Sequence, residues 1–530
     1  MKQRESGILL HLTSLPSNYG IGDLGKNAFK FVDFLSNAGQ RLWQILPINP
    51  TGFKDSPYQS FSTFAGNPLL IDLDNLVVLG FIESNSLENL PDFKTEEVDY
   101  EKVIPFKNRI MKQAYKTFKE KRFHPLKKDF YEFRSKNESW LRDYALFMAV
   151  KNHFIEFRST EKGRFDQELY KNQHAEFLTE NQLDDYYYGA VWQSWPKDLA
   201  TRKPHSIEKW TSILKKEIGY YEFIQWIFNK QYEELKQYAN KKNVKIIGDI
   251  PIFVALDSAD CWSNPELFLL DSTGSPTGVA GVPPDYFSED GQLWGNPLYN
   301  WQTMQNTNFQ WWINRIKRFL ELSDYIRIDH FRGFDSFWNV KYGAQTAKIG
   351  RWEKAPGVAL FTAIKKEFPD LPIIAEDLGV ITEDVETLRD EFSLPGMKVM
   401  QFGFDGAQNN IHLPMHFQTN HTVVYTGTHD NDTTQSWYEK LPFHIKIQVK
   451  RYLDSEGEDI PHKMIRCALL SIGDKVIIPM QDLLSQGENY RMNTPGTSTG
   501  NWQYRITADA LSPKLEKLLK DFNYISDRNL

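Results

Sequence analysis

Eight short apolar runs, most of them closing on an acid or a turn residue, recur along this chain with helical patterns between them. They are GILLHLTSLPS, RLWQILPINP, VKIIGDIPIF, YIRIDHF, PIIAEDLG, VMQFGF, TVVYTGTHDN and KVIIPMQDLL, and each reads as a strand. AFKFVDFLSNAG, between the first two, is an amphipathic helix stopped by Gly39. In NFQWWINRIKRFLELSD the residues Phe309, Trp312, Ile313, Ile316, Phe319 and Leu320 fall on one stripe at helical spacing. Thr382, followed by Glu383 and Asp384, opens a further helix. Strands that alternate with helices build a parallel sheet, and eight of them close it into a barrel. The expected fold is α/β, a single (β/α)8 TIM barrel over residues 1–530. Length alone leaves three or four separate domains open, since a domain usually holds ~100–200 residues. No repeat with a period of roughly 20–50 residues occurs, which speaks against a solenoid.

Inserted stretches interrupt the alternation. The loop TGFKDSPYQSFSTFAGNP has no periodicity and belongs to an expected active-site loop region at about 50–91. From about 92 to 242, Lys, Glu, Phe and Tyr at helical spacing indicate a mainly helical subdomain whose charged faces are solvated. The irregular Gly/Pro-rich segment Asp271 to Asn300 lies in an expected cleft-loop subdomain at about 255–305.

Composition narrows the classes. With 41% apolar residues and a net charge of -7, from 62 basic and 69 acidic residues, the chain can bury a large core and is not expected to be disordered. That acidic balance gives no reason to seek phosphate backbones, so nucleic acid is not an expected partner. Cys261 and Cys467 are too few for a disulfide framework and lack zinc-ligand spacing, which fits a reducing compartment. Met1 to Ser6 is polar, His11 and Ser14 break the apolar run that follows, and no apolar stretch reaches ~18 residues, so neither a signal peptide nor a membrane span is expected. The expected location is the cytoplasm, where the NxS/T triplets at Asn137, Asn420 and Asn431 carry no glycosylation message. Aromatic residues make up 14% of the chain; they serve either a large core or a groove in which sugar rings stack, and composition does not separate the two.

The informative residues are acids at strand ends. Asp249, Asp329, Glu376 and Asp430 each fall near the end of a predicted strand, and in a β/α barrel those ends converge on the catalytic face. In YIRIDH, pleating puts Arg327 and Asp329 on one face and Ile326 and Ile328 on the other, so the charged pair can line the barrel while the apolar pair meets the helices. A lone acid there can be a structural ion-pair member. Several together suit glycoside hydrolysis or transfer, in which one carboxylate attacks the anomeric carbon while a second, kept protonated by burial or a neighbouring charge, protonates the leaving oxygen. Arg327, two residues before Asp329, favours the ionised form that a nucleophile needs. No GxxxxGK[ST], no GxGxxG opening a helix and no HExxH occur, so no cofactor and no catalytic metal are expected.

At these residues the chain resembles the 4-α-glucanotransferase (amylomaltase, or disproportionating enzyme) family of the α-amylase clan. The resemblance is carried by SGILLHLTSLPS, ILPINPTG, DSPYQSFSTFAGNP, GDIPIFV, VAGVPPDYFSEDGQLWGNPLYNW, YIRIDHFRGF, IIAEDLGVI, YTGTHDNDT and RMNTPGT, from residue 6 to about residue 500. The DSPYQ, GVPPDYFS and LWGNP segments are specific to the family, whereas RIDHF and THDN occur across the clan. The resemblance implies a barrel without the clan's frequent C-terminal β-domain. By the same resemblance, Asp329 is the nucleophile, Glu376 the general acid/base and Asp430 the transition-state stabiliser. It also implies that Arg327 and His429 are partners for the nucleophile and for the sugar in the cleaved subsite, that Asp249 is the acid after the third strand in that subsite, that Tyr58 stacks under that sugar and that Trp294 stacks on the acceptor side. Ser56, Asn493 and the 283–291 loop complete the cleft. His330 and Arg332 are left either functional or merely loop-holding, and His11 reads as a barrel histidine.

The implied activity is retaining transfer of α-1,4-glucan segments to glucose or a glucan acceptor, with no obligatory protein partner. A clan hydrolase or branching enzyme would use the same carboxylates with water or a 6-hydroxyl. A catalytically dead glycan-binding protein would keep the aromatic groove and lose an acid. A retaining mechanism further requires the Asp329 and Glu376 carboxyls to lie about 5–5.5 Å apart.

Overall fold

Eight parallel strands form the centre of the molecule. The computed structural model describes residues 4–121, 123–157, 191–284, 288–407, 409–457, 459–497 and 499–528. The strands run in chain order as β1 (Glu5–Leu9), β2 (Leu42–Gln44), β3 (Lys245–Pro251), β4 (Val279–Val282), β5 (Gln292–Pro297), β6 (Tyr325–Asp329), β7 (Ser336–Val340), β8 (Gly350–Lys354), β9 (Ile373–Ala375), β10 (Gly396–Val399), β11 (Thr422–Tyr425) and β12 (Lys475–Pro479). The eight-stranded sheet has the order β10-β11-β12-β1-β2-β3-β6-β9. Its two outer strands meet where the Ala375 N–H donates to the Pro395 carbonyl at 2.9 Å, making a (β/α)8 TIM barrel.

The strands are buried because helices cover them from outside, as parallel sheets require. Ile326 and Ile328 of β6 are fully buried and join a core with Phe319 and Phe361 from the covering helices Gln310–Leu322 and Gly357–Glu367. The opposite face of each strand looks into the barrel, and there polar residues pair with one another. The Tyr425 hydroxyl of β11 donates to Gln44 Oε1 of β2 at 2.7 Å.

One strand lies earlier than the pattern VMQFGF implies. β10 is Gly396–Val399, whose residues register with Thr422–Tyr425, and the chain then tightens into the 3-10 turn Met400–Gly403. Both stretches bury apolar residues, Met397 and Val399 in the strand and Met400 in the turn, so hydrophobicity alone does not locate the boundary.

Between β2 and β3 the described chain contains the helices Tyr100–Glu120, Lys127–Lys136, Glu138–Phe157, Pro204–Ile213 and Lys215–Lys241; part of the expected helical stretch, 158–190, lies outside the described residues. The helix Lys215–Lys241 packs on the helix Lys26–Asn37 and on β3, as a barrel helix does. A second sheet, antiparallel with order β5-β4-β7-β8, is built from the segments that follow β3 and β6. Those segments leave from the strands' C-terminal ends, so this small sheet stands over the mouth of the barrel. Its β4 and β5 come from the Gly/Pro-rich stretch that reads as irregular in sequence. After Ile506 the described chain holds a 3-10 turn, Ala508–Ala510, and one helix, Pro513–Ile525. Among the described residues no helix is long and apolar enough to cross a membrane.

Candidate active site

Arg327 is the hub of the mouth. It sits in β6 opposite Asp249 of β3, in register, and its Nη1 donates to both carboxylate oxygens of Asp249 at 2.8 Å. Its Nη2 donates to Asp329 Oδ1 at 2.9 Å. The side chains of Arg327 and Asp249 are 3% and 0% exposed, whereas that of Asp329 is 28% exposed. One guanidinium thus neutralises a buried acid and reaches a second that opens on the cleft. Burial by itself would depress Arg327, but the Asp249 and Asp329 carboxylates more than offset it and hold the guanidinium well above its ordinary value. Asp249 lies two residues inside its strand's end, where it pairs laterally with Arg327.

Glu376 follows directly on β9. Its Oε2 accepts the His330 N–H at 2.7 Å and its Oε1 accepts the Leu378 N–H at 2.9 Å. His330 adopts φ 54, the left-handed region, in the turn that brings its N–H to this carboxyl. Burial, and next the charge of Asp329, push Glu376 up to about 8, against the opposing pull of Arg327 and the two N–H donors. The His330 imidazole is lowered to about 4, chiefly by burial, and is neutral at pH 7. Its ring meets Trp294 of β5 edge-on, with centroids 4.8 Å apart, which links the small sheet to the Glu376 loop.

Asp430 lies in the loop after β11, which is folded by Asn431: its Oδ1 accepts both the N–H and the hydroxyl of Thr428 at 2.8 Å. Asn493 Nδ2 donates to Asp430 Oδ1 at 2.6 Å, and His429 Nε2 lies 3.3 Å from Asp430 Oδ2. Arg491 fixes this corner from the chain side, donating to the Asp430 carbonyl at 2.6 Å and to the Asn493 carbonyl at 2.7 Å.

Tyr58 joins the two halves. Its hydroxyl donates to Asp249 Oδ2 at 2.8 Å, and its ring stacks on His429 at 5.2 Å and 10°. Ser56 stands beside it, its hydroxyl accepting the Tyr58 N–H at 3.3 Å. The loop that carries them is anchored at Gly66, whose N–H donates to Gln225 Oε1 at 2.8 Å and whose carbonyl accepts Gln225 Nε2 at 2.7 Å. A Cβ at residue 66 would come within 2.0 Å of the Phe228 ring, so only glycine lets the loop lie this close to the helix Lys215–Lys241.

The ten expected site residues Tyr58, Ser56, Asp249, Trp294, Arg327, Asp329, Glu376, His429, Asp430 and Asn493 lie around one mouth. Asp249, Arg327, Asp329, Tyr58, His429, Asp430 and Asn493 form one connected set of hydrogen bonds, close charge contacts and ring contacts. Glu376 is electrostatically coupled to Asp329, Trp294 reaches Glu376 through His330, and Ser56 acts only on the Tyr58 backbone. Part of the 283–291 loop, residues 285–287, lies outside the described residues. Sequence reading passes over Arg491 and Trp502, whose ring lies 5.7 Å from Tyr58 and 6.1 Å from His429. In the segment TSTGNWQYR two aromatics, Trp502 and Tyr504, stand among polar residues and give no sustained period that could have marked Trp502. Among the described residues no group of three His, Cys, Asp or Glu side chains is placed to hold a metal ion.

This arrangement supplies a partly exposed carboxylate beside a second carboxyl that keeps its proton near neutral pH, with aromatic rings around them. That is equipment for displacement at an acetal carbon. Comparison with known proteins agrees. The model of the family described as 4-alpha-glucanotransferase matches residues 10–510. The 4-alpha-glucanotransferase of Synechocystis sp. is 46% identical over 515 residues, covering 97% of this chain and 95% of that protein. The Thermus thermophilus enzyme of the same name is 44% identical over 518 residues, covering 96% of each chain. Among solved structures, the amylomaltase from Streptococcus agalactiae in complex with acarbose superposes with a TM-score of 0.90 at 39% identity, covering 99% of this chain and 100% of that one.

Proposed function

This chain belongs to the 4-alpha-glucanotransferase family and is an enzyme of that activity, and we propose that it moves α-1,4-glucan segments between maltooligosaccharides, or to glucose, by a retaining double displacement. The observation that carries this reading is the neutralising environment of Glu376 beside Asp329 at adjacent strand ends. An acid raised to about 8 keeps its proton at neutral pH, as a general acid must.

In the first step Asp329 attacks the anomeric carbon with Oδ2, since Oδ1 is held by Arg327. The bond from that carbon to the glycosidic oxygen breaks, and Glu376 gives its proton to the departing 4-oxygen. The product is a glucosyl ester on Asp329. Esterification removes the Asp329 charge, one of the causes that hold Glu376 up, so the carboxylate left behind remains ionised more easily. In the second step Glu376 takes the proton of an acceptor 4-hydroxyl, the acceptor oxygen attacks the same carbon, and the ester bond to Asp329 breaks. Two inversions retain the α-configuration, and no cofactor or metal enters the balance. Asp430, hydrogen-bonded by Asn493 and flanked by His429, holds sugar hydroxyls of the reacting ring. Tyr58 stacks under that ring and Trp294 under the acceptor.

Incubation with maltotriose, with products resolved by chain length and reducing ends counted, tests the reading. The expected result is glucose plus a ladder of longer maltooligosaccharides at nearly constant reducing ends, with Asp329→Asn silent. Rising reducing ends without longer products would make water the acceptor and contradict it.

A further inference from the structure

Trp502 stands at φ 65, in the left-handed region. For a bulky side chain this is an outlier that persists only where the surroundings over-determine it. The surroundings do so on both sides of the residue. The Trp502 N–H donates to the Met492 carbonyl at 2.8 Å, and its own carbonyl accepts the Tyr100 hydroxyl at 3.0 Å. Beyond it, the Val98 N–H donates to the Gln503 carbonyl at 2.8 Å and the Arg505 N–H to the Glu96 carbonyl at 3.0 Å, so two distant segments are laced together at this point.

Glycine occupies this φ freely, so the backbone supplies no reason for a tryptophan here. The ring supplies one. It is buried, and it meets Tyr58 at 5.7 Å and 40° and His429 at 6.1 Å and 39°, the two rings that stack on each other at the mouth. The bond from the Trp502 N–H to Met492 also brings together the two ends of the segment that carries Asn493, the donor to Asp430.

We propose that Trp502 is a positioning residue for the donor subsite: its ring fixes the Tyr58–His429 pair while its backbone closes the segment that holds Asn493 on Asp430. Trp502 touches no substrate; it acts through Tyr58, His429 and Asn493. The strained backbone is retained because the stacking side and the hydrogen-bonding side of the subsite then keep a single relative geometry. This inference rests on the roles assigned above to Tyr58 and Asp430.

The test compares Trp502→Gly, Trp502→Leu and Trp502→Phe with the wild type, measuring Tm together with kcat and KM for maltotriose disproportionation well below every Tm. Glycine relieves the backbone strain and removes the ring, leucine keeps apolar volume without a flat face, and phenylalanine keeps a flat face. The proposal expects kcat to fall on the order of 10- to 100-fold in the glycine and leucine variants, with KM within about threefold, because small misplacements of reacting groups cost that much. Phenylalanine should recover most of the loss, and kcat should not follow Tm across the three. Glycine and leucine variants within about threefold of wild-type kcat, or a kcat that simply tracks Tm, would overturn it. A wild type that forms no ladder sinks the functional reading itself, and an active wild type with equally active variants sinks only the role of Trp502.

Discussion

Asp329 and Glu376 take equivalent positions on neighbouring parallel strands: β6 and β9 pair Ile328 with Ala375, and the next residue of each chain is an acid. The Glu376 N–H donates to the Ile328 carbonyl at 3.1 Å, which extends the ladder to that step. Adjacent strands lie about 4.8 Å apart, so the register brings the two acids to neighbouring strand ends at the mouth.

The first prediction concerns pH. Glu376 must be protonated to act as an acid, so kcat/KM should fall on the alkaline side with an apparent pKa near 8. Removing the Asp329 charge removes one cause of that elevation. In Asp329→Asn, Glu376 should titrate lower than in the wild type, which a carboxyl-sensitive infrared difference titration reads directly.

The same elevation has a consequence for stability. A carboxyl whose folded pKa lies above its unfolded value binds its proton more tightly when folded. Its contribution is full below the unfolded value, near 4.5, and is lost as pH rises towards 8. Glu376→Gln lacks that loss. The variant should therefore gain on the wild type between pH 5 and pH 9, by a difference on the order of a few kcal/mol in urea unfolding. A constant difference across that range would contradict the assignment.

Arg327→Met strands Asp249 as a buried carboxylate that keeps only the Tyr58 hydroxyl. Breaking a buried pair on one side costs about 3–5 kcal/mol, so a marked fall in Tm and a loss of transfer should appear together. Arg327→Lys should restore part of the stability and little of the activity, because an ammonium cannot reproduce the forked contact to Asp249 while still reaching Asp329.

Trp294 and Tyr58 should separate by kinetic signature. Trp294→Ala removes the ring next to His330 that is proposed above to stack on the acceptor. Its hydrolysis-to-transfer ratio on maltotriose should rise about tenfold, since water competes when an acceptor sugar binds poorly. Tyr58→Phe keeps the ring on His429 and loses only the hydroxyl bond to Asp249, costing about 1 kcal/mol of stability with transfer largely preserved.

Local pattern and long-range geometry divide what could be read in the sequence. YIRIDH was legible because alternating apolar and charged residues are what a strand needs between helices and a polar barrel mouth. The eightfold strand–helix alternation identified the barrel for the same reason. β10 was misplaced by a few residues, because the apolar run continues from the strand into a buried 3-10 turn and hydrophobicity has no edge there. The sheet β5-β4-β7-β8 was not legible at all: its strands are short, its partners come from segments separated by the whole of β6, and Gly and Pro punctuate it. Motifs mark the residues of the mouth one by one, and of the connections among them only the neighbouring pair Arg327 and Asp329 is visible in sequence. That Arg327 serves Asp249 and Asp329 at once, or that Trp502 supports Tyr58, depends on contacts between residues far apart in the chain. The helix Lys215–Lys241 shows the same limit, since its texture matches the helices before it while it packs both on them and on the barrel helix Lys26–Asn37 and β3.

The central claim is a covalent glucosyl-Asp329, and trapping it is the most direct measurement. Glu376→Gln, given an α-maltosyl fluoride donor, needs no acid for the first step because fluoride leaves unaided, while the second step lacks its base. Mass spectrometry of the quenched protein should then show the added mass of one maltosyl group on the peptide that carries Asp329, with none in the variant that combines Glu376→Gln with Asp329→Asn. Release of fluoride with no adduct on that peptide, or an adduct on another residue, would contradict the account.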